Sequence, residues 1–368
     1  MKGIAVAVVG GGVVGAACAR ALARKGLPAA VFEPGPDPAA ATPASAGMLA
    51  AQIEPTEEGF LALAVRGRDL YEALATELSH STEIDIGLWR GGIASLAFDE
   101  ARAAELKDLV ALQRQAGLRC DWLSEPEVLE RWPGVAPQCL GALFAPEDGA
   151  VDPAALARAL LADARLAGVE VVKERVEQVV TVAGRVTGVR TLRGTVPAER
   201  VVLAAGAWSP GLTPGGRILP VEPVRGQMAA TAWPPGTPPA ILYHNHGYVL
   251  ARGGEALLGS TMERVGFDAR STKEGVQQIV AGAARILPAL GRSPIARSWA
   301  GLRPVTPDGL PVIGPEPGVE GLVYATGHGR NGVLLAALTG DIVAELVATG
   351  KSELDLAPFR PERFPSSR

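Results

Sequence analysis

One arginine stands out in the stretch WAGLRPVTPDGLPVIG, which covers residues 299–314. Arg303 shares this run with a single other charged residue, Asp308, which lies in a predicted turn. The following Pro304 disfavours a helix at Arg303 and predicts an extended backbone there. A solvated surface arginine is the ordinary interpretation, but the neighbours are mostly too apolar for a solvated face. The pattern therefore indicates an anionic ligand for this guanidinium.

A second candidate site is the pattern Gly10-x-Gly12-x-x-Gly15, which directly follows the apolar run Ile4–Val9. In a dinucleotide-binding turn the first glycine makes the tight turn and the second lets a pyrophosphate approach the backbone. The third lets helix and strand pack closely. The helix that begins there presents free N–H groups and the positive end of its dipole to phosphate. Glu33 ends the next strand and is placed to accept both ribose hydroxyls, so the unit predicts a dinucleotide site rather than a plain glycine-rich turn.

Two further crossings from a strand into a glycine-rich turn favour FAD over NAD as this dinucleotide. They are VVLAAG at 201–206 and ATGHGRNGVLLAALTG at 325–340, both far downstream of the first glycine pattern. A flavin spans a site of this kind, with its ring at the N-terminus of the last helix. The dipole of that helix would favour the negative charge that develops on the ring when it is reduced.

Composition and charge narrow the functional class. A chain of 368 residues suits two connected domains, and 48% hydrophobic with 20% charged residues is typical of a globular protein. A net charge of −4 argues against nucleic acid as a partner, because phosphate neutralisation needs a basic face. Cys18, Cys120 and Cys139 lack disulfide or metal-site spacing, so we expect no bound metal. Residues 1–20 superficially resemble a secretory signal, but their central glycines fit a turn better, so we expect a cytoplasmic protein without a membrane segment.

The elements predicted around these sites alternate between helix and strand. The first unit is a strand over Ile4–Val9, a helix over Ala16–Lys25 and a strand over Ala29–Phe32. Further helices are predicted over 60–80, 99–116, 153–167, 272–289 and 332–349. Further strands are predicted in a hairpin that turns near 183–184, over 201–205, as an antiparallel set within 221–262, and over 322–325.

Six motifs together carry a resemblance to a known family, and they are SAGMLA (45–50), IDIGLWRGG (84–92), HGYVLAR (246–252), WAGLRP (299–304), TPDGLPVIGP (306–315) and ATGH-x-RNG (325–332). Through them the chain resembles, nearly end to end, the D-amino-acid oxidase family of FAD-dependent oxidoreductases, and within it the glycine oxidases of thiamine biosynthesis. The implied fold is α/β, with two domains interleaved along the chain. A Rossmann-like, glutathione-reductase-like FAD-binding domain would cover 1–85, 145–222 and 298–368, and an antiparallel-sheet substrate-binding domain 86–144 and 223–297.

The resemblance implies a set of residues at the substrate. Arg303 would pair with the substrate carboxylate, which suits a planar guanidinium in a partly dry pocket. Tyr248 would donate a phenolic hydrogen bond to the same carboxylate, although it can also be a strand aromatic. His246, Arg330 and Met262 match other pocket positions. His246 can equally be structural, Arg330 can brace the flavin loop, and Met262 would only shape the pocket.

The resemblance also implies the residues that contact the cofactor, in three groups. The first group surrounds the glycine turn and the loop after Glu33, and comprises Gly10, Gly12, Val13, Val14, Gly15, Glu33, Pro34, Ser45, Ala46, Gly47, Met48 and Leu49. The second comprises Val176, Ala205, Gly206 and Trp208. The third comprises His328, Gly329, Arg330, Asn331, Gly332, Val333 and Leu334.

The implied activity is oxidative deamination of glycine, sarcosine or small D-amino acids. The Cα–H is expected to pass as hydride to FAD, so positioning does most of the work and no obligatory base is expected. Dioxygen, the expected acceptor, would give hydrogen peroxide, and the imine would hydrolyse to a keto acid (glyoxylate from glycine) and ammonia. The alternatives are a D-amino-acid or sarcosine oxidase or dehydrogenase with another substrate or acceptor, a noncatalytic FAD-binding protein, and a nicotinamide dehydrogenase.

Two further expectations concern how FAD is attached to the chain and whether the chain forms an oligomer. Sarcosine-oxidase-like relatives attach the flavin covalently through a cysteine in the C-terminal half, and no cysteine follows Cys139 in this chain. Noncovalent FAD is therefore expected. We also expect a homo-oligomer that binds a small amino-acid substrate.

Overall fold

The computed structural model describes residues 4–53, 60–214, 219–245 and 247–365. The helices in these residues are α1 (Val13–Arg24), α2 (Ala41–Ala44), α3 (Phe60–Asp69), α4 (Tyr71–Thr82), α5 (Glu100–Gln115), α6 (Glu125–Arg131), α7 (Pro153–Leu166), α8 (Lys273–Ile286) and α9 (Gly332–Thr349). The strands are β1 (Ile4–Val9), β2 (Ala29–Phe32), β3 (Met48–Leu49), β4 (Ile93–Ala97), β5 (Asp121–Ser124), β6 (Gly141–Ala145), β7 (Gly149–Ala150), β8 (Glu170–Val172), β9 (Val176–Val182), β10 (Arg185–Thr191), β11 (Gly194–Leu203), β12 (Glu222–Ala232), β13 (Ile241–His244), β14 (Gly247–Arg252), β15 (Glu255–Gly259), β16 (Arg297–Val305), β17 (Val312–Pro315) and β18 (Leu322–Thr326).

The first sheet is built around a parallel core in the order β18–β11–β1–β2–β8. β17 pairs antiparallel with the outer edge of β18, and β9 and β10 form an antiparallel meander on β11. Apolar clusters cover both faces of the parallel core. This explains why β1 is a continuous apolar run rather than an alternating one. The hairpin turn between β9 and β10 lies at 183–184, where it was predicted.

Helices α1, α7 and α9 pack together on one face of this sheet. α1 begins at Val13, three residues before the predicted start, because Gly12 already serves as its N-cap. α9 is long and apolar enough to cross a membrane by length and composition, but most of it is buried within the protein. A helix that is apolar on all sides is expected in such a buried place. Gly340 of α9 lies directly against the backbone of Ala17 in α1.

The second sheet has the order β16–β12–β15–β14–β13–β4–β6–β5 and is antiparallel except between β13 and β4. Antiparallel strands within 221–262 were predicted, whereas β4, β5 and β6 were not. α8 packs against β12, β14 and β15 on one face. The domain boundaries remain a prediction from the sequence. The boundary at 298 falls inside β16, which is paired along its length with β12 in the second sheet.

Two predicted helices differ from the structure in their bounds. The helix predicted over 60–80 is two helices, α3 and α4, which meet at Leu70. The helix predicted over 272–289 ends at Ile286, and a short 3₁₀ segment follows over Pro288–Arg292. Leu287 has an extended backbone because the residue before a proline is disfavoured in the α region.

The close crossing of α1 and α9 generates a first prediction. A Cβ on Gly340 would lie 2.6 Å from the Ala17 carbonyl oxygen, which is backbone and cannot rotate away. Gly340→Ala should therefore lower the free energy of unfolding by about 2 kcal/mol, measured by denaturant titration. Gly282→Ala in α8 is the matched control, since a Cβ there meets nothing within 4 Å. That variant should be as stable as the parent or gain up to about 1 kcal/mol. Equal stability of the two variants would contradict the tight crossing.

Candidate active site

A cavity of about 520 Å³ lies at the carboxyl ends of β1, β2, β11 and β18. In open α/β sheets this edge is where ligands bind, and the volume is in the usual range for ligand pockets. The cavity continues to β12 and β16 of the second sheet, which line its other end. It therefore brings the glycine turn and Arg303 into a single site.

The glycine turn has the shape that its sequence predicts. Gly10 has a φ of +105°, and a Cβ there would lie 2.5 Å from the carbonyl oxygen of Ala204. Gly15 lies against the carbonyl of Gly10, too close for any side chain. Gly12, the N-cap of α1, supplies no side chain to cap the helix, and the first turn of α1 contains no acidic residue. The positive end of this helix therefore faces the cavity.

Glu33 is held rigidly beside this turn. Its Oε2 accepts a hydrogen bond of 2.7 Å from the backbone N–H of Gly11, and its Oε1 accepts one of 3.1 Å from that of Gly35. A carboxylate held in this way at the end of β2 can accept hydroxyl groups from a ligand in the cavity. Thr42, which the sequence analysis did not single out, also lines the cavity and accepts a 3.1 Å hydrogen bond from the N–H of Val13.

A second helix N-terminus opens onto the same cavity. The first residues of α9 line it, the N-cap Asn331 makes no capping hydrogen bond through its side chain, and no acidic residue lies in the first turn. Two helix N-termini whose N-cap residues make no side-chain capping bond open onto one cavity, and they fit the flavin dinucleotide expected from the sequence. The N-terminus of α1 suits the pyrophosphate, and that of α9 suits a flavin ring that gains negative charge. The residues present therefore fit FAD.

His328 shapes the turn before α9 but points its side chain into the core. The ring is buried, and its Nε2 lies 3.0 Å from the hydroxyl of Thr339. Burial lowers the pKa of His328 to about 4, so the ring is neutral at pH 7. We therefore expect this residue to contribute to the cavity through its backbone.

Arg303 lies at the β16 end of the cavity, where its guanidinium covers Gly226 of β12. No other residue type fits at Gly226, because a Cβ would overlap the guanidinium. Nη1 donates a 3.1 Å hydrogen bond to the carbonyl oxygen of Thr261, and Nη2 donates one of 2.8 Å to the hydroxyl of Ser260. The plane of the guanidinium is therefore fixed in a half-buried, largely apolar setting.

Tyr248 lines the same end of the cavity. Its ring packs against Gly259, the residue before Ser260, and its side chain is 7% exposed. The hydroxyl lies 3.0 Å from the sulfur of Met228, which also lines the cavity. The Tyr248 ring against Gly259 and the Arg303 guanidinium bonded to Ser260 therefore contact consecutive residues and line the same end of the cavity.

Most of the predicted site residues line the cavity, and they are Gly10, Gly12, Val13, Val14, Glu33, Pro34, Ser45, Ala46, Gly47, Met48, Val176, Ala205, Gly206, Trp208, Tyr248, Met262, Arg303, His328, Gly329, Arg330, Asn331, Gly332, Val333 and Leu334. Gly15 does not line it, since it packs helix against strand behind the turn. Leu49 does not line it either, because its side chain is buried in the core below α9. Met262 is 59% exposed at the cavity. His246 lies outside the described residues.

Several lining residues were missed by the sequence analysis, above all Gly226, Ser260, Met228 and Tyr243. Nothing in their local spacing marks them as functional. Gly226 and Ser260 become part of the site only because β12 and the segment after β15 flank Arg303.

Comparison with known proteins shows the family of the chain. The model of the FAD dependent oxidoreductase family, DAO, matches residues 5–346. The glycine oxidase of Geobacillus kaustophilus is 40% identical over 367 residues, which is 96% of this chain and 95% of that protein. The crystal structure of a Geobacillus kaustophilus glycine oxidase superposes with a TM-score of 0.93 at 37% identity, covering 99% of this chain and 100% of that one. The bifunctional protein ThiO/ThiG of Trichormus variabilis is 36% identical over 98% of this chain but only 55% of that protein.

The buried His328 generates a prediction about pH and stability. Its folded-state pKa is about 4, below the usual value near 6.5, so the unfolded chain binds a proton that the folded protein excludes. The stabilisation is complete above about pH 6.5 and is lost as the pH falls toward 4. When the pH falls from 7 to 4.5, the free energy of unfolding should fall by about 2 kcal/mol more in the parent than in His328→Gln. The glutamine keeps a hydrogen-bonding group near Thr339.

The measurement is denaturant unfolding of both proteins at the two pH values. His80→Gln, at an exposed position in α4, is the control and should leave the difference between the two pH values unchanged. An unaltered pH dependence in His328→Gln would mean that the imidazole is protonated in the fold.

Proposed function

The chain belongs to the DAO family of FAD-dependent oxidoreductases and is an FAD-dependent amino-acid oxidase; from this premise we propose that it oxidises glycine and other small amino acids or amines, such as sarcosine and small D-amino acids. The proposed products from glycine are glyoxylate and ammonia, with dioxygen reduced to hydrogen peroxide. The similarity to glycine oxidases along nearly the whole chain supports this choice of substrate. The match to a ThiO/ThiG protein supports a role in thiamine biosynthesis. We also propose that the enzyme is a cytoplasmic homo-oligomer, as its sequence predicts.

The observation that carries the proposal is the placement of Arg303. Its guanidinium covers Gly226 and lines the cavity together with Tyr248, at the end away from the glycine turn. A planar fork of donors in a half-buried setting binds a carboxylate in two-pronged fashion. An FAD protein that used the flavin only as a structural element would have no need of such an anchor.

In the proposed mechanism the protein contributes mainly orientation. When bound, FAD supplies the hydride acceptor for the substrate Cα–H and passes the electrons on to dioxygen. Arg303 and Tyr248 hold the carboxylate, which fixes the Cα next to it and leaves one direction for its hydrogen. Met228 and Met48 line the cavity with apolar side chains, which would limit water around the substrate. In the described lining the carboxylates Glu33 and Asp37 belong to the dinucleotide end, so no carboxylate base is assigned to the Cα proton.

A D-amino-acid or sarcosine oxidase or dehydrogenase is the second candidate, since it would use the same anchor with a different side-chain pocket or electron acceptor. A substrate panel with peroxide detection separates these possibilities. Peroxide formed with glycine at the highest kcat/KM supports the proposal. Flavin reduction without peroxide would identify a dehydrogenase.

The cofactor end of the cavity generates a prediction about retention of FAD. We propose noncovalent FAD, so acid or heat should release all of the flavin, and none should migrate with the chain on a denaturing gel.

Glu33→Ala should weaken FAD binding while the fold is retained, because it removes the acceptor fixed at the end of β2. The measurements are flavin content after purification and circular dichroism. An unchanged FAD affinity would mean that Glu33 does not contact the cofactor.

The substrate end generates the decisive prediction. Arg303→Ala should lower kcat/KM for glycine about 100-fold, because removing a charge-pairing partner from a partly desolvated site costs about 3 kcal/mol. The variant should retain FAD. Arg303→Lys should recover only part of the loss, since an ammonium lacks the two-pronged geometry.

The measurement is anaerobic flavin reduction by glycine, followed at the flavin absorbance band. Simple amines without a carboxylate serve as the control, because they should be poor substrates for the parent and much less sensitive to the substitution. Reduction of Arg303→Ala by glycine at the parental rate would remove the carboxylate anchor from the proposal.

A further inference from the structure

A polar cluster lies on the face of β12 opposite to the cavity. Successive side chains of a strand point to opposite faces, so Arg225 and Gln227 point away from the face on which Gly226 meets Arg303. Both side chains converge on Glu263, which lies in the segment after β15. We call Arg225, Gln227, Thr261 and Glu263 the Glu263 cluster.

Glu263 is the centre of this cluster because its carboxylate accepts four hydrogen bonds. Oε2 accepts from Arg225 Nε at 3.0 Å, from Gln227 Nε2 at 2.7 Å and from the Thr261 hydroxyl at 2.8 Å. Oε1 accepts from Arg225 Nη2 at 3.1 Å. The hydrogen bond from Arg225 is the main reason why the pKa of Glu263 is lowered to about 2, so the carboxylate is ionised at any working pH.

The cluster is joined to Arg303 through two consecutive residues. The backbone N–H of Gln227 donates a 3.0 Å hydrogen bond to the Thr261 hydroxyl, which in turn donates to Glu263. The carbonyl oxygen of Thr261 and the hydroxyl of Ser260 both accept hydrogen bonds from the Arg303 guanidinium. The position of the guanidinium therefore depends on where the Ser260–Glu263 segment is held.

Little apolar packing holds this segment from the outside. Met262 is 59% exposed, and Val265 and Phe267 are also largely exposed. The ring of Phe267 packs against that of Trp208, with 5.7 Å between the centroids and 40° between the ring planes. The inner side is fixed by the four hydrogen bonds to Glu263 and by two backbone hydrogen bonds between Arg225 and Glu263.

We propose that Glu263 is a positioning residue for the oxidation reaction. By tying the Ser260–Glu263 segment to β12, it holds the two acceptors that orient the Arg303 guanidinium toward the substrate carboxylate. This inference rests on the carboxylate anchor proposed above and extends it to a residue that does not line the cavity. Glu263 acts on carboxylate affinity rather than on the hydride transfer itself.

Charge balance explains why a neutral residue at position 263 would not hold the segment equally well. The Arg225 guanidinium is 5% exposed, and its charge is balanced by Glu263 and by Asp268, 3.4 Å away. A buried charge that loses one partner is destabilised and draws in another group. Replacing Glu263 by an amide would leave Asp268 to compensate Arg225, and the segment that carries Ser260 and Thr261 would shift with it.

The test compares Glu263→Gln with the parent holoenzyme, using acetate as a nonreactive carboxylate probe whose binding is followed by the flavin absorbance spectrum. We expect Glu263→Gln to retain FAD and to bind acetate about tenfold more weakly, with a matching rise in KM for glycine and a smaller change in the rate of flavin reduction at saturation. Glu263→Asp should recover part of the affinity. Glu222→Gln is the matched control, because Glu222 is a nearby exposed glutamate whose ion-pair partner among the described residues is Arg264. The acetate affinity of this variant should equal that of the parent.

Thr261→Val keeps the shape of the side chain and removes only the hydroxyl that joins Glu263 to the Arg303 acceptor, so it should weaken acetate binding in the same direction. This variant decides the question if Glu263→Gln loses its FAD. Parental acetate affinity in either FAD-containing variant would overturn the role of Glu263 and leave the anchor intact. Parental affinity in Arg303→Ala would instead overturn the anchor, and this inference with it.

Discussion

Strand β16 is the constraint on which the whole site depends. It pairs with β12 along the second sheet and at the same time contacts two loops of the cofactor region. The N–H of Leu302 donates to the carbonyl oxygen of Ala39 at 2.9 Å, and the N–H of Gly329 donates to that of Pro304 at 2.7 Å. Arg303 lies between these two points. The position of Arg303 relative to these two loops is therefore set by backbone hydrogen bonds rather than by flexible side chains.

Glycines, which have no side chain, are as important to this site as the polar groups. Gly226 leaves room for the Arg303 guanidinium, Gly259 leaves room for the Tyr248 ring, and Gly301 lets β16 approach Ala44 of α2. In each place a Cβ would overlap atoms that define the cavity. Glycine inside a strand normally weakens it, so these positions indicate that close approach has a functional value here.

Local patterns in the sequence predict much of the framework and little of the substrate site. The family, the fold class and the first β-α-β unit are confirmed, because glycine spacing and apolar periodicity act over a few residues. The break between α3 and α4 at Leu70 has no proline or glycine to mark it, and it is decided by tertiary packing. Ser260 and Arg303 are 43 residues apart, and only the pairing of β12 with its two neighbours brings them together. The roles of Arg303, Tyr248 and Arg330 stay predictions, supported by their place on the cavity.

The strand order of the first sheet also governs how the chain can fold during synthesis. β1 lies between β11 and β2, and β11 in turn lies between β1 and β18. Helix α1 is covered by α9, which is the last α-helix in the described part of the chain. Pairings between such distant segments form slowly, and the first sheet cannot be completed before the strands of the second sheet have been made. The apolar face of α1 therefore stays exposed until the segment that contains α9 has been made. The cavity takes lining residues both from the turn after β1 and from the first turn of α9, so its lining is complete only after almost the whole chain has been made.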